Sequence, residues 1–404
     1  MIKRIVLFIC ILFGFKSYAQ NIKTAVLVVG AGPAGMAAAI QSAKSGVKTL
    51  LIDASNFNTL TLSKSDRSTN AGIYADFLKR AESFQKVPVK NDTVFSSAVT
   101  GSIFKGWADT VKNLTLLGNT SIKKIKRSGK GWQIDLPGRE IKAEVLVDAS
   151  ANAIIAAMIA VLPKKNQVIN PSSTDLYSTS LYRTSLGILE NGEDSYKTLA
   201  LQNFIVPEIE NLVLINPAGE ASGLQSGQAA GTIAAFCAFF KTTTKKLDTR
   251  KIQSELFTFK AKLIGFDDIS DGDSSSLAIQ HIALTGILKG KSEDNKLLFL
   301  PDNTVSTDDL KQPLREYYSR SQIWFLDNKA DKITLEQALS LIKFIGSRGE
   351  ELNKQVQKAW KSPLKLTGEY DLKKVLSRKE LAILLDIYLQ PFGVGVDLDG
   401  NVKR

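Results

Sequence analysis

From Thr24 to Val29 every position is apolar or β-branched, the pattern of a strand buried on both faces. A glycine cluster, Gly30 to Gly35, interrupts it. Met36 to Lys44 then reads as an alanine-rich helix stopped by Gly46, and Val47 to Ile52 as a second buried strand closed by Asp53. Further along, Ser97 to Lys112 predicts a helix. Leu114 to Leu117, Ser121 to Arg127 and Gly131 to Leu136 predict short strands, and Glu140 to Asp148 a longer one. Residues 209–219 read as a strand running into a glycine turn, and Ser226 to Phe240 as a helix of small apolar residues. After a basic linker, Lys241 to Arg250, the pattern turns to short amphipathic helices: one over 276–290, one over Thr307 to Tyr318, and two further starts near Ile333 and Leu376.

The sharpest local signal is Gly30-Ala31-Gly32-Pro33-Ala34-Gly35, a G-x-G-x-x-G run placed between a strand and a helix, with Asp53 lying 18 residues beyond Gly35. Gly30 permits the tight turn, Gly32 lets the backbone approach a pyrophosphate, and Gly35 allows close packing of helix on strand. Pro33 and Ala34 open the helix, whose N-terminus offers free N–H groups and a positive dipole end to phosphates. Asp53 suits the adenosine ribose hydroxyls, and its charge disfavours a 2′-phosphate there. Strand, glycines, helix, strand and acid in this order predict dinucleotide binding.

The first 19 residues have a different character. Lys3 and Arg4 precede the apolar run Ile5 to Phe15, and Ser17-Tyr18-Ala19 forms a small-x-small cleavage site before Gln20, which reads as a signal peptide. The run is shorter than the roughly 20 residues that span a bilayer, so no transmembrane segment is expected in the mature chain. An exported protein, periplasmic, secreted or in the cell envelope, is expected. Removing this segment takes away Lys3, Arg4 and Lys16 and no acid, so the net charge drops from +12 to +9.

At 404 residues the chain has room for two or three domains, and 44 % hydrophobic with 23 % charged residues is an ordinary globular composition. The two cysteines are Cys10 and Cys237; loss of the first leaves no internal disulfide, and Cys237 reads as a small buried hydrophobe. With one histidine, His281, no two-histidine metal site is available, and no metal is expected. The basic cluster Lys123, Lys124, Lys126, Arg127 and Lys130 surrounds a Gly129–Gly131 turn and reads as a solvated hairpin edge. Nucleic acid is not an expected partner.

Glu140 to Asp148, continued by Ala149-Ser150, resembles the late strand and turn of flavoproteins, and residues 209–219 with Ser226 to Phe240 resemble their closing strand and helix. Together these segments resemble the glutathione-reductase-type FAD fold and the family of exported bacterial FAD-dependent oxidoreductases, over roughly residues 22–160 and 197–245. The fold class this implies is α/β. A Rossmann-like FAD-binding domain (20–160 and 197–250) carries a reduced substrate segment (161–196), and a mainly α-helical C-terminal domain (262–404) follows. By the resemblance Asp148, Gly219, Gly227 and Gln228 join Gly30, Gly32, Pro33, Ala34, Gly35 and Asp53 as cofactor-binding residues. The start of the Gly227 helix would face the flavin's pyrimidine end. Asp148-Ala149-Ser150-Ala151 lacks the glycine of the family's turn, and Asn216-Pro217-Ala218 replaces its Ala-Gly-Arg.

The C-terminal third resembles S-layer-homology repeats, each with an aspartate-led entry, a helix, a loop and a second helix. The resemblance implies a cell-wall glycan or an envelope protein as partner. Of the arginine in those repeats' Thr-Arg-Ala-Glu motif, only Arg378 remains. A helical cap packed on the flavin domain is the plainer reading. His281 and the pair Tyr182–Arg183 read as packed residues, and no catalytic residue is named by the sequence. Two functions remain. One is an exported oxidoreductase moving a hydride or electron pair from a small organic substrate through noncovalent FAD. The other is a non-catalytic envelope protein on a flavin-fold scaffold. An NAD-dependent dehydrogenase finds no second nicotinamide fingerprint.

Overall fold

The computed structural model describes residues 20–67, 69–150, 153–160, 172, 174–190, 196–215 and 223–403. The expected leader, Ala151, the 216–218 turn and Gly219 lie outside them.

Strand β1 (Gln20–Val29) sits inside a seven-stranded sheet. It pairs in parallel with β2 (Thr49–Ile52) on one side and β6 (Arg139–Asp148) on the other. Strand β3 (Leu114–Leu117) extends the sheet beyond β2, and β9 (Leu212–Leu214) pairs in parallel with the end of β6. The first half of β6 pairs antiparallel with β5 (Gly131–Leu136), and β5 with the edge strand β4 (Lys124–Ser128). The expected basic hairpin edge is therefore present, with Arg127 stacked 4.4 Å over the buried Trp132 ring.

The unbroken apolar run of β1 is explained by its two faces. Val26 and Val28 enter one core, while Leu27 and Val29 enter a second core with Trp132, Ile134 and Leu214. On the first face lie α1 (Pro33–Lys44), α2 (Gly72–Gln85) and α3 (Ser97–Thr110). Helix α2 is absent from the elements expected above, although Ile73, Tyr74, Phe77, Leu78 and Ala81 fall at helical spacing and are buried. The second strand starts at Thr49 rather than Val47, because the Val47 amide turns back to the Ser42 carbonyl at the end of α1. A short helix, α4 (Ile154–Met158), follows β6.

Helix α5 (Leu224–Phe239) packs along α1 through small residues. A Cβ on Gly227 would stand 2.1 Å from the Ala34 carbonyl oxygen, and one on Gly231 2.4 Å from that of Ala38. The alanines of α1 and the glycines of α5 are thus one close helix–helix seam. Between β6 and α5 the chain makes a small antiparallel pair, β7 (Ser185–Glu190) and β8 (Tyr196–Ala200).

After α6 (Thr249–Thr258) the chain closes into a ring of three similar units. Each is a helix, a loop, a short extended bridge and a second helix: α7 (Ser276–Thr285) with α8 (Thr307–Tyr317), α9 (Ser321–Asp327) with α10 (Leu335–Gly346), and α11 (Glu351–Ala359) with α12 (Arg378–Tyr388). The first loop carries the β10–β11 hairpin (Lys291–Glu293, Lys296–Leu298). The bridges pair in a closed cycle: Thr304 with Ser377, Ser306 with Lys332, and Thr334 with Val375. Val305, Ile333 and Leu376 point into the centre and are buried. Ser306, Thr334 and Ser377 cap the second helices, the last two in capping boxes with Gln337 and Glu380.

The ring is docked on the sheet domain by two buried arginines. Arg183 donates to the carbonyls of Thr285 (3.2 Å) and Gly400 (3.3 Å) and pairs with Glu316. Arg250 donates to the carbonyls of Arg183 (3.3 Å) and Val394 (3.2 Å) and to Gln253 (2.8 Å). One continuous hydrophobic core runs from Val26 to Phe392 through this junction.

Candidate functional site

The glycine loop lies at the C-terminal end of β1, where parallel sheets commonly place their ligands. Gly30 has φ +103°, and a Cβ there would meet the Ala149 carbonyl and the Ser150 amide, each 2.7 Å away. Its own amide donates to the Ile52 carbonyl at 3.0 Å. Gly35 is equally constrained, with a Cβ position 1.7 Å from the Gly30 carbonyl oxygen. Gly32 differs. It is exposed, its backbone is extended, and nothing stands within 4 Å of where a Cβ would be. Open space over backbone is what a bulky phosphate ligand requires.

Gly32 is also the N-cap of α1, with Pro33 in the first helical turn, no side-chain cap and no acid among the residues of that turn. The Ala34 and Gly35 amides have no intrahelical acceptor, so this 12-residue helix presents a positive end that no side chain of its first turn caps. Asp53 stands at the loop: one carboxylate oxygen accepts from the Ala31 amide (2.8 Å) and the other from the Ser55 amide (2.6 Å). It stays half-exposed, with lone pairs left for hydroxyl donors. Gly30, Gly32, Pro33, Ala34, Gly35 and Asp53 are therefore brought together in one cradle that fits the nucleotide half of a dinucleotide.

The remaining expected positions have other surroundings. Asp148 is buried. One oxygen accepts from the Ser150 hydroxyl (2.6 Å) and amide (3.1 Å), the other from the Ile155 (3.0 Å) and Ala156 (3.1 Å) amides. Burial raises its pKa above the ordinary aspartate value despite these bonds. Asp148 thus fastens the turn after β6 to α4. Gly227 lies in the seam with α1. The Gln228 amide joins three helices, donating to Gln41 (3.0 Å) and accepting from the Ile73 amide (3.1 Å).

Asp66 was not expected from the sequence. Its carboxylate accepts from the Leu224 amide (2.6 Å) at the start of α5, and from the Ser63 amide (2.8 Å) and hydroxyl (2.7 Å). It is buried, and burial raises its pKa. The local Ser63-x-x-Asp66 spacing is a capping signal; the bond to a helix 158 residues away has no sequence signature. The chain's own carboxylate thereby occupies part of the positive end of α5.

His281 stacks on Phe392 at 4.2 Å and contacts Asp386 through Nδ1 at 2.9 Å, so it is a packed residue. Tyr182 and Arg183 belong to the junction with the ring. Cys237 is buried, and burial pushes its thiol up to about 12. Arg378 donates to the carbonyls of Phe299 (2.7 Å) and Lys289 (2.5 Å) and lies over the Phe299 ring. Among the described residues no group of acids, histidines and cysteines is arranged to hold a metal, and no helix is long and apolar enough to cross a membrane.

Residues 25–162 match the family of FAD dependent oxidoreductases. The dinucleotide this match indicates is FAD. The solved structures it resembles include a flavoprotein/dehydrogenase from Cytophaga hutchinsonii, 16 % identical, covering 65 % of this chain and 92 % of that one, with a TM-score of 0.35. An anhydrotetracycline hydroxylase from Streptomyces rimosus is 12 % identical over 59 % of this chain and 65 % of its own, with a TM-score of 0.34. A bacillithiol disulfide reductase from Staphylococcus aureus is 18 % identical over 32 % of this chain, with a TM-score of 0.24; the chain spans 38 % of that reductase's length. Among curated proteins nothing matches.

Proposed function

We propose that the chain is an exported oxidoreductase that binds FAD noncovalently and takes a hydride or electron pair from a small organic substrate. The observation that carries this reading is the open cradle at Gly32, with an uncapped helix N-terminus on one side and the Asp53 carboxylate on the other. The amides of Ala34 and Gly35 would hold the pyrophosphate, and Asp53 the ribose hydroxyls. Bound FAD supplies the electron-accepting chemistry. The chain's own residues bind and orient it. Gly30 and Gly35 fix the loop, and Asp148 holds the following turn in place. Export rests on the basic, apolar and small-residue order of residues 1–19.

A second reading is favoured by one feature. Asp66, Gly227 and Gln228 commit the start of α5 to internal contacts, which leaves that helix less to offer an anionic flavin ring. On this reading the chain is a non-catalytic envelope protein, and its three-unit ring binds a cell-wall glycan or another envelope protein. The visible spectrum of the chain purified from Gln20, with FAD added if it is colourless, separates the two. Stoichiometric flavin bands support the oxidoreductase. A folded chain that stays colourless in excess FAD refutes it and moves the search to ligands of the ring.

A further inference from the structure

The end of the sheet opposite the glycine loop carries two neighbouring grooves, one on each side of the C-terminus of α5. The first, of about 340 Å³, is lined by Lys23, Lys130, Lys142 and Lys241, with Cys237 and Trp132 in its wall. The second, of about 290 Å³, is lined by Phe236, Phe239 and Phe240 and by residues of α6. Phe239 and Phe240 close the helix with 63 % and 53 % of their surface exposed. The rings form a cluster, Phe240 lying 4.8 Å from Phe236 and 5.1 Å from Phe239. Single exposed apolar side chains are ordinary, but two adjacent rings over an apolar groove are a patch.

Three acids around the two grooves are held in ion pairs. Glu144 is paired with Lys241 at 2.8 Å, Asp248 with Lys251 at 3.8 Å, and Glu140 with Lys142 at 3.4 Å. Lys23, Lys130 and Lys246 are exposed and have no carboxylate partner among the described residues. Glu255 is the acid in the wall of the phenylalanine groove. Unpaired lysines in the groove neighbouring the protruding aromatic rings complement an anionic phospholipid surface: the ammonium groups meet the phosphates and the rings enter the headgroup region.

We propose that this face docks the protein on an anionic phospholipid bilayer, with Phe239 and Phe240 inserted and Lys23 and Lys130 against the headgroups. The 16 residues of α5 set the glycine loop roughly 24 Å away, so the cofactor end stays turned to solvent. The chain enters its fold at the same end, since Lys23 lies near the start of β1.

The test is sedimentation with vesicles of phosphatidylcholine, with and without phosphatidylglycerol, using the chain from Gln20 so that the apolar leader cannot itself bind lipid. The expected result is co-sedimentation with the phosphatidylglycerol vesicles only, weakened by salt. Reversing two lysines in Lys23→Glu/Lys130→Glu should lower partitioning at least about tenfold, each cation near such a surface being worth roughly a factor of five. Phe239→Ser/Phe240→Ser should lower it comparably, with an unchanged circular dichroism melt as the control for folding. The lysine variant alters only exposed side chains, so it decides the matter should the phenylalanine variant misfold. No binding to anionic vesicles overturns the proposal, as does binding that survives both variants. A dimer that the phenylalanine variant dissociates, in a chain that ignores vesicles, also overturns it and assigns the rings to a chain–chain contact.

Discussion

Replacing Gly32 and Gly35 separately by alanine distinguishes a glycine kept for a ligand from one kept for the fold. In Gly35→Ala the new methyl would lie 1.7 Å from the Gly30 carbonyl oxygen, whereas real Cβ contacts stay beyond 3.0 Å. Relief by moving Gly30 is blocked. Its amide is bonded to Ile52, and its own Cβ position already faces Ala149 and Ser150 at 2.7 Å. Helix α1 cannot retreat either, because the glycines of α5 pack on its backbone. A loss of about 3 kcal/mol or more is expected, at the upper end of overpacking. Gly32→Ala puts its methyl into open space at an ordinary φ of −61°, so the apoprotein should lose no more than about 1 kcal/mol, the difference between glycine and alanine as N-cap. FAD affinity, read by fluorescence quenching, should fall at least about tenfold, or roughly 1.4 kcal/mol. Denaturant titration of both apoproteins gives the stability term. Unchanged FAD affinity in Gly32→Ala would show that no ligand approaches the backbone there, and the cradle argument would fail.

Burial raises the pKa of Asp66, so the folded chain holds that proton more tightly than the unfolded chain. Its contribution to stability is complete below the ordinary aspartate value and is lost as pH rises through the raised one. Asp66→Asn should flatten that part of the stability–pH curve, and an unaltered curve would refute the assignment. Cys237, with its thiol pushed up to about 12, should resist alkylation in the native protein at mildly alkaline pH and react on unfolding; rapid native labelling, followed by mass, contradicts its burial. Ile333→Ala should cost about 2–4 kcal/mol by opening a cavity at the centre of the ring. Because one core joins ring and sheet, the unfolding transition should stay single; a separate early transition would show that the ring unfolds alone.

The local pattern by itself determined the nucleotide half of this protein. A strand buried on both faces, three spaced glycines, an alanine-rich helix and a closing acid leave few alternatives, because each depends on backbone and neighbours close in sequence. The helix starts near Ile333 and Leu376 were legible for the same reason, since a capping residue and its partner lie within one turn. What joins distant segments was decided only in three dimensions. Asp66 reaches Leu224, Gln228 reaches Ile73 and Gln41, and Arg250 reaches Val394, each across a long stretch of chain. Gly227 shows the difference most plainly. A glycine at a helix start reads equally well as a ligand contact or a packing contact, and it is the Ala34 carbonyl, 2.1 Å from its Cβ position, that makes it a packing contact. The closed cycle of three bridges is likewise invisible to periodicity: each is a one-residue pairing, too short for an alternating pattern, and burial of Val305, Ile333 and Leu376 at a shared centre holds it together.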